Sequence, residues 1–239
     1  MTAADAPYEL MYWPVLQGRG EFVRLALEDA GAAYVDLARG QGPQAVIEFM
    51  QRDDVQGVYA PPILRVGELL ISQTSNILMY LAPRLGLVPE NEAARLRANQ
   101  LQLTVMDVTA EAHNTHHPVS TSLYYEDQKD VAIIAANGFV QHRLRKYLAH
   151  LEACTVAGGF TVGGAHTYVD LSVFHLLCGL GYAFPKAMSQ LEGEYPHLEV
   201  LKARIESRPR VQAYLQSERR LPFNEDGVFR YYEALDVPL

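Results

Sequence analysis

Hydrophobic and polar positions divide the chain into two halves of different period. Tyr8 to Trp13, YELMYW, alternates and is rich in aromatics, as a half-buried strand requires. From Arg19 the pattern lengthens to a helical period: Phe22, Val23, Leu25, Ala26 and Ala30 fall on one face, with Glu21 in the first turn and Gly31 as a stop. Tyr34 to Leu37 predicts a second strand and Val46 to Met50 a short helix. The stretch Ala60 to Leu81, APPILRVGELLISQTSNILMYL, begins with two prolines and starts a strand at Ile63 and Leu64. It turns at Val66-Gly67-Glu68, returns over Leu69 to Ile71, and opens a helix at Ser72-Gln73-Thr74-Ser75 that ends near Leu85. Small hydroxyl residues there are candidate caps.

Strand, helix, strand, short helix, hairpin, helix is the order of a thioredoxin-like unit with α/β packing. Beyond Gly86-Leu87-Val88-Pro89 the strand period vanishes. Glu92 to Asn114 and Gln128 to Leu151 are long helical patterns, and Thr155 to Gly164 is a Gly-rich loop. Thr167-Tyr168-Val169-Asp170 has the form of a capping box before the apolar run Leu171 to Leu177. Pro196 to Ser207 and Val211 to Ser217 predict the last helices, with a break at Arg208-Pro209. The aromatic tail, Arg220 to Leu239, is expected to fold back over the body. The expectation is an α/β thioredoxin-like domain over residues 1–85, a linker at 86–90 and an all-α helical bundle over 91–239.

Composition narrows the function classes. A formal net charge of −8 over 239 residues, with no basic stripe, argues against nucleic acid or an anionic membrane as partner. The start MTAADAPYEL lacks the charged and apolar segments of a secretion signal. The longest apolar run, Leu171 to Phe184, is interrupted by His175 and is too short to cross a bilayer. Two cysteines, Cys154 and Cys178, form neither a disulfide framework nor a metal-binding spacing, so a reduced, cytoplasmic setting is expected.

The chemistry gathers at two places. A helix start at Gln73-Thr74 leaves backbone N–H groups unpaired and carries partial positive charge, which suits a carboxylate. Tyr12-Trp13-Pro14 puts a phenol in a turn at the end of the first strand. These motifs, with the gap-free spacing from Pro62 through Gly67 to Gln73-Thr74, resemble the cytosolic glutathione transferase family of the tyrosine type. The resemblance is strongest over residues 8–30, 60–81 and 167–180. It implies that Tyr12 donates a hydrogen bond to the glutathione sulfur and favours its thiolate form. It further implies that Gln73 and Thr74 hold the γ-glutamyl carboxylate, that Trp13 and Arg19 line the glycine-carboxylate side, and that the electrophile pocket includes Leu16, His113 and His117. Asp107 aligns approximately with an acidic residue that crosses a dimer interface in several classes of the family, which implies a homodimer.

Two departures from the family pattern stand out. Pro61 occupies the position that pairs with the cysteinyl backbone of glutathione, and a proline has no N–H to give. The N-terminal half holds no lysine, the first being Lys129; Arg39, Gln51 or Arg52 is the candidate substitute. His113 and His117, four apart in AHNTHHP, could share a helical face as a metal pair, but without a third ligand no metal is expected. Glutathione is then a co-substrate, no other cofactor is implied, and the partner is a hydrophobic electrophile. Because a fold alone does not establish activity, the alternative is a binding or carrier protein of the same fold for apolar ligands with little turnover. A glutathione-dependent isomerase or peroxidase is also open.

Overall fold

The computed structural model describes residues 8–55 and 57–239; the stretch MTAADAP, where no secretion signal is expected, lies outside them. The first half contains β1 (Tyr8–Met11), α1 (Gly20–Ala30), β2 (Tyr34–Asp36), α2 (Pro43–Met50), β3 (Ile63–Val66), β4 (Leu69–Ser72) and α3 (Thr74–Arg84). The sheet order is β2-β1-β3-β4. β1 runs parallel to β2, with Leu10 opposite Asp36, and antiparallel to β3, with Leu10 opposite Leu64. Alternation along these strands makes three layers. Leu10, Leu64 and Ile71 face α1 and α3, packing with Val23, Leu27, Ile77 and Leu81, while Met11 and Ile63 face α2 and meet Val46 and Phe49. Gly67 turns the β3–β4 hairpin with φ +59°, a left-handed conformation that glycine adopts without steric cost.

The second half is helical: α4 (Glu92–Asn114), α5 (Lys129–Gly138), α6 (Arg145–Cys154), α7 (Tyr168–Ala183), α8 (Pro185–Gln190), α9 (Pro196–Glu206) and α10 (Pro209–Leu215). The expected single helix over 128–151 stays helical throughout but widens into π geometry at Phe139–Leu144. The short α8, opened by Pro185, has no counterpart in the sequence reading, because its six residues are too few to carry a period. Asp170 accepts from the Thr167 N–H at 2.9 Å and from the Thr161 N–H at 2.9 Å, fixing the start of α7 and the preceding Gly-rich loop together.

Helix α1 differs from the one-faced helix its pattern predicts. Glu21 and Arg24 are fully buried along with the apolar residues, because α1 is covered by the sheet and α3 on one side and by α7 and α10 on the other. Its charges are therefore used in pairs. Glu21 accepts from the Tyr214 hydroxyl at 2.8 Å and pairs with Arg220, and Arg24 bonds Asp36 at 2.7 Å. Asp29 receives His166 at 2.8 Å and Arg208 at 3.0 Å, which ties the α/β half to the helical half. The tail does fold back: Lys186 N–H donates to Asp236 at 2.9 Å and Gln141 to Pro238 O at 2.7 Å. No helix among the described residues is long and apolar enough to cross a membrane.

Candidate active site

β1 delivers Tyr12 to the base of a turn that closes at Gly18-Arg19-Gly20. The Tyr12 side chain is buried, and its hydroxyl accepts the Arg19 backbone N–H at 2.8 Å. Both glycines are required by this contact. A Cβ at Gly18 would lie 2.2 Å from the Tyr12 hydroxyl, and one at Gly20 would lie 2.6 Å from the ring. The buried Arg24 guanidinium stands 5.6 Å from the ring centroid. Burial pushes the phenol above its ordinary pKa, against the opposing pull of the Arg19 N–H and of the Arg24 and Arg19 charges. At neutral pH it is thus a neutral O–H with one lone pair occupied and its proton free to donate.

Arg19 precedes α1 and leads into a cleft of about 380 Å³. Gln73, Thr74 and Ser75 line it at the start of α3, and Asn99, Leu103 and Met106 line it from α4. Gln73 holds φ +71° at the helix cap, and no side chain caps the helix. The small hydroxyls read as candidate caps therefore leave the first-turn N–H groups facing the cleft without a side-chain acceptor. The Thr74 hydroxyl instead makes a long contact, 3.5 Å, to the Arg19 carbonyl, and Arg19 forms no salt bridge among the described residues. A guanidinium beside an uncapped helix start is a place for a carboxylate.

The other candidate residues are spread around this centre. Trp13 packs with the cluster between the sheet and α2, and Arg19 lines the cleft together with Gln73 and Thr74. Pro61 is partly exposed and joined to the buried Pro62 by a cis peptide. Asp107 is exposed on α4, next in sequence to Met106 of the cleft. Of the candidate substitutes for a lysine, Arg39 is bound to Asp36 at 3.3 Å and Arg52 to Asp54 at 2.8 Å, while Gln51 is exposed.

Leu16 is half-buried, and the tail crosses beside it: Asn224 donates to Val15 O at 2.8 Å, and Gln17 donates to Leu221 O. At its far side the tail meets His116, whose Nε2 is 3.0 Å from Val228 O. His113 stacks on His117 with centroids 4.8 Å apart, and His117 Nδ1 bonds Leu123 O at 2.9 Å. Burial is the main reason that these imidazoles titrate low, His113 at about 4 and His116 at about 2; the neighbouring Arg230 charge adds to it. Sequence reasoning missed Ser75 and Asn99 as cleft residues. The first adjoins the Gln73-Thr74 pair, and the second shares an i, i+4, i+7 stripe with Leu103 and Met106, which is a helical signal that periodicity alone can find.

The fold is that of a thioredoxin-like domain followed by an all-helical domain. A family model described as glutathione S-transferase, C-terminal domain, matches residues 113–218. The chain is 23% identical over 214 residues to a glutathione S-transferase of Plasmodium falciparum, covering 88% of this chain and 96% of that protein. It is 27% identical to the mouse (Mus musculus) glutathione S-transferase Mu 3, covering 90% and 94%. Its structure superposes on a Pi-class glutathione S-transferase of Onchocerca volvulus with TM-score 0.69 at 23% identity, covering 92% of this chain and 98% of that one. Over residues 113–218 the chain thus matches the C-terminal domain of the glutathione S-transferases, and over most of its length it is similar to proteins of that name.

Proposed function

We infer that this protein is a glutathione transferase that joins the glutathione sulfur to a hydrophobic electrophile. The observation that carries the reading is the Tyr12 hydroxyl, which accepts the Arg19 N–H at 2.8 Å and so keeps its proton for a sulfur. In this reading the γ-glutamyl carboxylate lies at the start of α3, held by Gln73, Thr74 and the Arg19 guanidinium. The phenol proton stabilises the thiolate, the thiol proton passes to solvent, and the sulfur forms a bond to carbon as the leaving group departs with its electron pair. Trp13 and Pro61 border the rest of the tripeptide. Leu16, His113 and His117 contribute to the electrophile side, beneath the returning tail.

A homodimer fits the surface around the cleft. Met79, Leu96 and Leu103 are each at least half exposed on α3 and α4, an apolar face that a second copy would cover. Asp107 on the same helix would then serve the partner's site. The test is a titration of the wild type with glutathione, following Trp13, the only tryptophan, by its emission. Saturable quenching with conjugation of a generic aromatic halide, lost in Tyr12→Phe, supports the transferase. Quenching by apolar ligands with no turnover would support a carrier instead.

A further inference from the structure

His113 lies in the last turn of α4, and His116 and His117 follow in the turn beyond it. The spacing i, i+3, i+4 brings all three rings to one point, with every pair of centroids 4.8 Å apart. One coordinating nitrogen from each lies within 4.8 Å of the other two. The sequence offered His113 and His117 as a pair without a third ligand. Folding supplies His116.

Two backbone carbonyls decide which nitrogens carry lone pairs. Val228 O, 3.0 Å from His116 Nε2, takes the proton on that nitrogen and leaves Nδ1 as the basic one. His116 is 1% exposed, and its Nδ1 has no partner. A buried lone pair without a donor is a cost unless something fills it. Leu123 O likewise fixes the His117 proton on Nδ1, 2.9 Å away, and leaves Nε2 basic. The geometry points to a binding site for one divalent transition-metal cation of the zinc class, held by His113, His116 and His117.

The ligand chemistry selects the ion. Three neutral imidazoles without a carboxylate suit zinc, nickel or copper and are poor ligands for calcium or magnesium, which need oxygen. Zinc–nitrogen bonds of about 2.0–2.1 Å at tetrahedral angles place the nitrogens about 3.3 Å apart. The rings must therefore draw in from their present separation, and the half-exposed His113 is the least restrained of the three. Arg230, anchored on Gly227 O at 2.8 Å, is the opposing charge; it favours an anion such as hydroxide in the fourth position. A bound ion would couple the end of α4 to the tail through His116 and Val228. The metal assignment rests on the ring geometry and does not depend on the glutathione reading, although His113 and His117 also border its electrophile side.

The test is calorimetric titration of chelator-treated full-length protein with zinc chloride, repeated with cobalt(II) followed by visible absorption. The expected result is one equivalent of zinc at micromolar concentration and a tetrahedral cobalt spectrum without thiolate charge transfer. Affinity should fall at least tenfold in His113→Ala and in His117→Ala, each shown to be folded by its circular dichroism melt. His150→Ala controls for the exposed His150–Cys154 pair, whose Nε2 and Sγ are 3.8 Å apart, and should leave binding unchanged. No saturable one-equivalent binding to the wild type, binding that survives both cluster substitutions, or binding lost in His150→Ala would overturn the proposal.

Discussion

Asp29→Ala tests how the two halves of the molecule are held together. Asp29 is on α1 and its side chain is 1% exposed; its partners, His166 and Arg208, come from the helical half. Burial alone would raise its pKa, but hydrogen bonds from His166 and Arg208 outweigh that and hold the carboxyl below its ordinary 3.8. Removing one member of a buried pair costs about 3–5 kcal/mol, because the other charge is left without compensation. The Arg208 side chain is 33% exposed and recovers part of this in water, so the expected loss is about 2–3 kcal/mol. For a chain of this size that lowers the melting temperature by about 4–12 °C.

The pH dependence follows from the shifts. His166 is opposed by burial, but hydrogen bonds to Asp170 and Asp29 hold its pKa above the ordinary 6.5. Its contribution is fully present below 6.5 and fades as pH rises through the raised value. Asp29, with a lowered pKa, contributes above 3.8 and loses that contribution as pH falls through the lowered value. The wild type should therefore exceed Asp29→Ala by most between 3.8 and 6.5. Circular dichroism melts of both proteins across pH measure this. A difference below about 1 kcal/mol, or one that grows at alkaline pH, would refute the reasoning.

Pro61→Val restores a backbone N–H while keeping an X-Pro bond; glutathione should bind about two- to tenfold more tightly by titration calorimetry, the worth of one neutral hydrogen bond. Gly20→Ala drives a Cβ into the Tyr12 ring and should cost about 1–3 kcal/mol of stability together with most of the turnover, whereas Gly40→Ala, where a Cβ meets nothing within 4 Å, should be near neutral in both assays. Cys178, whose thiol is pushed up to about 11 by burial, should resist alkylation at pH 8 under conditions that modify Cys154, as peptide mass mapping would report.

Much of the fold was legible because periodicity is strong where one face is buried. The strands that alternate between Leu10 and Met11, or between Ile63 and Leu64, serve opposite faces of the sheet, and the capping acid Asp170 stands where its box predicts. What escaped was tertiary. Glu21 and Asp29 lie off the apolar stripe of α1, yet both are buried and matched by residues far along the chain, Tyr214 and His166, while the buried Arg24 finds Asp36 within the first half. Gly18 and Gly20 carry no chemistry in a sequence, and their meaning appears only with the Tyr12 ring against them. The histidine cluster was visible as residues, but which nitrogen of His116 is left bare depends on Val228, more than a hundred positions away.

In the proposed function Tyr12 favours the thiolate of bound glutathione. A charge-assisted hydrogen bond of about 1.5–3 kcal/mol implies that its removal costs roughly 10–150-fold in kcat/KM. The direct measurement is the ultraviolet difference spectrum of saturating glutathione on the wild type and on Tyr12→Phe at neutral pH. The account predicts a thiolate band on the wild type that Tyr12→Phe loses while still binding the tripeptide. An equal band on both proteins, or none on a wild type shown to be saturated, would contradict it.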